Sequence, residues 1–268
     1  MNVGNYLARV GLTERPGADL AGLRALHRAH LRAVAFENLD QQLGRAVSLE
    51  IPAIYDKIVV RRRGGWCYEM NGIFGWALGE LGFAATRLAG GVMREVRGDA
   101  AVGNHLVLKV ALGDGDWFAD VGFGDGPHEP FRIAEGAFAA NGFAFALSRP
   151  GGAWWRMHNR RAVDAGSYDV TLAPADESLL AARCQWLQSA PESPFMQNLV
   201  CQRQRARALV ILRGRVLQHV TPGGIEQRLL DSADELTAVL RGEFELDVPE
   251  ASGLWPKIRD RHAQLFGA

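Results

Sequence analysis

The spacing of apolar residues changes twice along the chain. Over residues 19–34, Leu20, Leu23, Leu26, His27, Leu31 and Val34 recur every three or four positions, the mark of one buried helical face. Asp19 supplies an N-cap oxygen at its start. A second helix is predicted from Pro52, where the missing N–H does no harm, through Ile54, Ile58 and Val59 to the run Arg61-Arg62-Arg63. Gly64-Gly65 breaks it, and a third helix runs from Cys67 through Met70, Ile73, Phe74, Ala77 and Leu81 to Gly82. Beyond Gly82 the pattern becomes that of strands, over 86–96, 105–112 and 117–121, with Gly113-Asp114-Gly115-Asp116 turning the last two into a hairpin. Shorter strands fit 131–134, 154–156 and 168–172, a number that suggests a small barrel or sandwich. The remainder mixes both periods. A helix is predicted over 178–190, strands over 208–212 and 215–220 around Arg213-Gly214, and helices after the cap Ser232 and over 255–266.

Composition narrows the class without changing this picture. Thirty Lys and Arg balance thirty Asp and Glu, so no global field recruits nucleic acid or an anionic membrane. Neither partner is expected, and nothing in the sequence fixes an oligomeric state. Cys67, Cys184 and Cys201 are too few and too scattered for a disulfide framework or a zinc site, and no metal is expected. With no secretory signal and no apolar stretch of spanning length, the expected location is the cytoplasm.

The candidate chemistry begins at Cys67, placed after a flexible Gly-Gly turn at the start of a helix, where unpaired N–H groups and the helix dipole favour a thiolate. Alone, a cysteine beside Trp66 is more often a small buried apolar residue. His105 opens one strand of the hairpin and Asp120 closes the other, so both fall at the same end of the ladder. Singly they read as a hydrogen-bonded strand residue and a turn acceptor. Together with Cys67 they form a Cys-His-Asp arrangement, in which an imidazole removes the thiol proton and a carboxylate fixes the imidazole's tautomer.

Three segments, Arg63-Gly64-Gly65-Trp66-Cys67, His105-Leu106 and Asp120-Val121-Gly122-Phe123-Gly124, with Phe36-Glu37-Asn38-Leu39 upstream, resemble the motifs of the arylamine N-acetyltransferase family in kind and order. The resemblance implies an α+β protein: a helical domain (1–83) carrying the nucleophile, an antiparallel β-barrel (84–190) carrying His105 and Asp120, and a mixed α/β lid (191–268). It implies acetyl-CoA as co-substrate, no tightly bound cofactor, and ping-pong transfer through Cys67 to an arylamine or arylhydrazine. Phe36, Val92, Phe123 and Phe195 correspond to positions lining the acceptor pocket of similar enzymes, though each also reads as core. Gly124 and Gly126 are expected either to let a ligand approach the turn or simply to satisfy the turn itself, and Gly103 and Asn104 to offer backbone groups to the acyl carbonyl or pantetheine arm. Glu37 and Arg63 either brace the cysteine turn or form a surface pair of little energetic value. The charged segment Asp125-Gly126-Pro127-His128-Glu129 departs from relatives beside the cofactor turn. The same triad would also suit an amide synthase or a transglutaminase-like cysteine hydrolase.

Overall fold

A computed structural model describes residues 1–159 and 166–267. Its first part is a helical cluster built around α5 (Cys67–Glu80). Nearly every side of α5 is buried, with Tyr68, Met70, Ile73, Phe74, Ala77 and Leu78 all in the core, as expected of a helix enclosed by others. Against it lie α1 (Val3–Val10), α2 (Leu20–Ala33), the short α3 (Leu39–Gln42) and α4 (Ile51–Tyr55). The Asp19 side chain caps α2 through the Gly22 N–H at 2.8 Å, as the sequence predicts. Three features were not predicted. The four-residue α3 is a single turn, too short to show a period. α1 has only two turns of pattern to announce it, and α4 passes into a π-helical turn, Asp56–Val60, before the arginine run.

Among the described residues the strands form two antiparallel sheets. One contains β2 (Ala84–Val92), β3 (Val102–Leu112), β4 (Gly115–Phe118), β5 (Phe131–Arg132), β6 (Gly136–Ala140), β7 (Phe143–Gly151), β8 (Trp154–Asn159) and β9 (Ser167–Thr171), in the order β5-β4-β3-β2-β9-β8-β7-β6. It curls into a half-barrel, open between β5 and β6. β2 stops at Val92, short of the predicted end, because Met93 turns left-handed (φ 56°) and starts the helical turn α6 (Arg94–Arg97). The second sheet runs β1-β10-β11-β12-β13, joining β1 (Phe36–Glu37) to β10 (Val200–Gln204), β11 (Leu209–Arg213), β12 (Val216–Thr221) and β13 (Gly224–Leu229). Among the described residues four more α-helices follow in chain order: α7 (Glu177–Ser189), α8 (Pro194–Gln197), α9 (Ala233–Phe244) and α10 (Trp255–Phe266).

The alternation of side chains along two strands knits the molecule into one body. On β3, Leu106, Leu108 and Val110 face the helical core, while Val107 faces a second core with Leu88, Phe118, Phe145, Met157 and Tyr168. On β11, Leu209 and Ile211 join that second core, whereas Val210 and Leu212 pack with Leu236, Leu240 and Phe244 of α9. α7 returns to the helical core through Leu180, Cys184 and Leu187.

Candidate active site

The cysteine turn is held from both sides. Gly65 N–H donates to the Ala35 carbonyl at 3.2 Å, and Gly65 O accepts from Glu37 N–H at 2.9 Å, so the turn runs alongside β1. That approach explains the glycine at position 64. A Cβ there would lie 2.2 Å from the Ala35 carbonyl oxygen and 2.6 Å from Glu37 Cγ. The Gly-Gly pair is therefore a point of close contact rather than of flexibility. Glu37 and Arg63 are paired, and the pair is buried, not superficial: Arg63 Nη2 reaches Glu37 Oε1 at 2.9 Å and Asp40 Oδ1 at 3.2 Å. Lys57 Nζ extends the network to Asp40 at 2.8 Å and Glu69 at 2.9 Å. Glu69 also accepts the Trp66 N–H at 3.2 Å and so caps the helix that Cys67 begins. Burial pushes the Glu69 carboxyl up, with Lys57 opposing. Burial also pushes Asp40 up, but Lys57 and Arg63 together outweigh it and hold it below its ordinary value.

Cys67 is 3% exposed. Burial drives its thiol well above the ordinary value, and backbone groups of Leu106 and Tyr68 pull it only partly back. The helix start therefore does not by itself yield the thiolate that the sequence suggests, because desolvation of the charged form is the larger effect.

His105 Nε2 and Asp120 Oδ2 are 2.7 Å apart, both buried. The hairpin brings them together as the sequence predicts, although β4 ends at Phe118 and Asp120 lies in the turn beyond it. The other oxygen, Asp120 Oδ1, accepts from Asn71 Nδ2 at 2.7 Å and from Gly122 N–H at 2.9 Å. Burial pushes the Asp120 carboxyl up, but His105 and these donors hold it below its ordinary value. The imidazole packs between Phe123 and Tyr168, with centroids 5.4 and 5.2 Å away.

Asn71 is the residue that sequence reasoning missed. Besides Asp120 it donates to the Leu106 carbonyl at 2.6 Å, and its Oδ1 accepts the Val121 N–H at 3.0 Å. It thus joins α5 to both strands of the hairpin. Its signal was its position one helical turn after Cys67, on the same face. Gly122 was also missed as a contact: a Cβ there would meet Cys67 Cα at 2.7 Å and Asn71 Nδ2 at 2.6 Å.

A cavity of about 350 Å³ opens over Cys67 and His105. Phe36, Val92, Phe123 and Phe195 all line it, as does Asn104. The Asn104 side chain accepts the Val92 N–H at 2.8 Å, where the β2–β3 register slips beside His105. Gly103, Gly124 and Gly126 do not line it, and the space beside each is taken by protein. Gly103 (φ 86°) faces Leu179 and Arg183, and its carbonyl accepts from the Tyr68 hydroxyl at 2.6 Å. Gly124 (φ 74°) abuts the Gln202 carboxamide, Gly126 abuts Phe123, and both carbonyls face Gln204 Nε2. Asn38 secures the far wall, donating to the carbonyls of Phe195 and Asn198 at 2.8 Å and accepting the Val200 N–H at 2.8 Å.

A half-barrel beside a helical cluster, with a cavity lined by Cys67 and by His105 of a buried His–Asp pair, is the architecture of an α+β enzyme. Residues 19–252 match the model of an N-acetyltransferase family. An arylamine N-acetyltransferase of Mycolicibacterium smegmatis is 35% identical over 260 residues, covering 94% of each chain. The solved arylamine N-acetyltransferase of M. smegmatis superposes with a TM-score of 0.88 at 34% identity, over 97% of this chain and 98% of that one. That of Mycobacterium marinum, solved in complex with CoA, gives 0.86 at 30% identity, over 97% and 98%. The chain belongs to the arylamine N-acetyltransferase family.

Proposed function

We propose that this enzyme transfers an acetyl group from acetyl-CoA to arylamines and arylhydrazines by a ping-pong route through an acetyl-Cys67 thioester. The observation that carries the reading is the buried array Asn71–Asp120–His105, whose His105 lines the same cavity as Cys67. With Nε2–H engaged by Asp120, His105 Nδ1 is the nitrogen left to act as base. Because burial disfavours an isolated thiolate, Cys67 ionises by passing its proton to His105, and Asp120 stabilises the resulting imidazolium. The thiolate attacks the acetyl-CoA carbonyl. The tetrahedral adduct collapses with loss of CoA thiolate, which takes the proton from His105. In the second half the neutral aromatic amine attacks acetyl-Cys67, His105 removes the nitrogen's proton, and the cysteine leaves and is reprotonated. In this reading the segment 191–268 covers the cavity as a lid. Cys67, Cys184 and Cys201 are all free thiols, the state that a reducing cytoplasm maintains.

The test is direct. Incubation with acetyl-CoA alone is expected to add one acetyl group per chain at Cys67, seen in the intact mass. An arylhydrazine is expected to discharge it, and Cys67→Ser to remain unlabelled. Wild-type protein that stays unlabelled at both short and long times would overturn the reading.

A further inference from the structure

The charge on the cavity wall is one-sided. Its described lining contains two arginines, Arg97 and Arg213, and no Asp or Glu. Arg94 and Arg97, on the same short helix α6, are used quite differently. Arg94 is engaged with Asp99 and Asp169, and its guanidinium lies 3.8 Å from the centroid of Trp154. Arg97 makes no ion pair or hydrogen bond among the described residues. The folded chain therefore employs one arginine of α6 in its own packing and leaves the other at the mouth. The same lining includes the apolar side chains of Phe36, Val92, Phe123 and Phe195. An unanswered guanidinium facing an aromatic-lined cavity is complementary to a flat ring carrying an anion.

We propose that Arg97 is a specificity-determining residue that selects aromatic acceptors bearing a carboxylate or similar anion remote from the amine. This rests on the acetyl-transfer reading above and narrows its acceptor class. The donor's phosphates are the competing source of negative charge, but the long pantetheine arm separates them from the thioester. Arg97, by contrast, lines the same cavity of about 350 Å³ as Cys67. A small acceptor held with its amine at Cys67 keeps its ring and its substituent within that space.

Steady-state kinetics with 4-aminobenzoate and its neutral isostere 4-aminobenzamide test this in wild type, Arg97→Ala and Arg97→Glu. Arg97 is exposed, so its removal should leave the fold intact and the effect solvent-screened. KM for 4-aminobenzoate is expected to rise about fivefold in Arg97→Ala and further in Arg97→Glu. KM for 4-aminobenzamide and for acetyl-CoA should stay within about twofold. Equal changes for both acceptors would overturn the proposal, and so would a rise in KM for acetyl-CoA alone, which would assign the guanidinium to the donor. A donor-independent arm keeps this separate from the transfer reading: protection of Cys67 from iodoacetamide by 4-acetamidobenzoate against 4-acetamidobenzamide. Stronger protection by the anion, lost in Arg97→Ala, supports the site even if acetyl-CoA fails to label Cys67. Equal protection by both ligands in wild type counts against it.

Discussion

Asn71 holds Asp120, and Asp120 holds His105, so the orientation of the imidazole, the base of the proposed mechanism, depends on a buried carboxamide. Asn71→Ala removes three hydrogen bonds at once and leaves the Leu106 carbonyl, the Val121 N–H and one carboxylate oxygen short of partners in the interior. The expected cost is about 1–3 kcal/mol of stability. The expected fall in kcat/KM is roughly 10- to 100-fold, since a group that orients a catalytic one acts through geometry. Urea unfolding and single-turnover acetylation would separate the two effects. A fully active Asn71→Ala would refute the positioning role. At this scale much of the site was legible: Cys67, His105 and Asp120 each sit where a recognisable turn or strand end places them. What the sequence misjudged was the thiol. Its place at a helix start was visible, but its burial, which outweighs the dipole, depends on packing by distant segments.

Among the elements, the turn before α5 rests on Glu37, Asp40 and Glu69 facing Lys57 and Arg63. Lys57 is the hinge of this set because its side chain is 5% exposed and touches two carboxylates within 3 Å. Lys57→Met would leave Glu69 buried without its cation, an expected loss of about 3–5 kcal/mol. Lys57→Arg should recover part of it, and chemical denaturation of the pair of variants reads both. Helices with a long apolar period, such as α2 and α5, were readable from the chain. The strands β1, β6, β7, β10 and β13 were not. β1 has two residues and exists because β10 pairs with it, and β13 has no buried residue to give it an alternating pattern. The predicted strand over 86–96 ran too long because the left-handed turn at Met93 carries no glycine to announce it.

For the molecule as a whole, acid is the expected weakness. His27 and His30 are buried on α2, with His27 between the carbonyls of His128 (3.1 Å) and Asp120 (3.2 Å), and His30 beside the Tyr6 hydroxyl (2.9 Å). Burial is the main cause that lowers them, from 6.5 to about 4 and about 3. Below about pH 6.5 the unfolded chain binds protons that the folded chain refuses until those lower values, so stability falls with pH across that interval. The slope is about 1.4 kcal/mol per pH unit for each titrating imidazole. Melting temperature measured from pH 8 to pH 5 should decline below about 6.5, and His30→Gln should flatten the decline. A constant melting temperature over that range would contradict this account.

The pairing of β1 with β10 joins residues far apart in the chain: Phe36 opposite Gln202 and Glu37 opposite Cys201. Phe36 forms one wall of the cavity over Cys67, and Phe195, Asn198 and Val200 form another. On a ribosome the cysteine, the histidine and the aspartate all emerge well before these later residues do. A nascent chain therefore carries all three residues of the proposed triad before it has this second wall, and the pocket can close only once the middle of the last third has been translated.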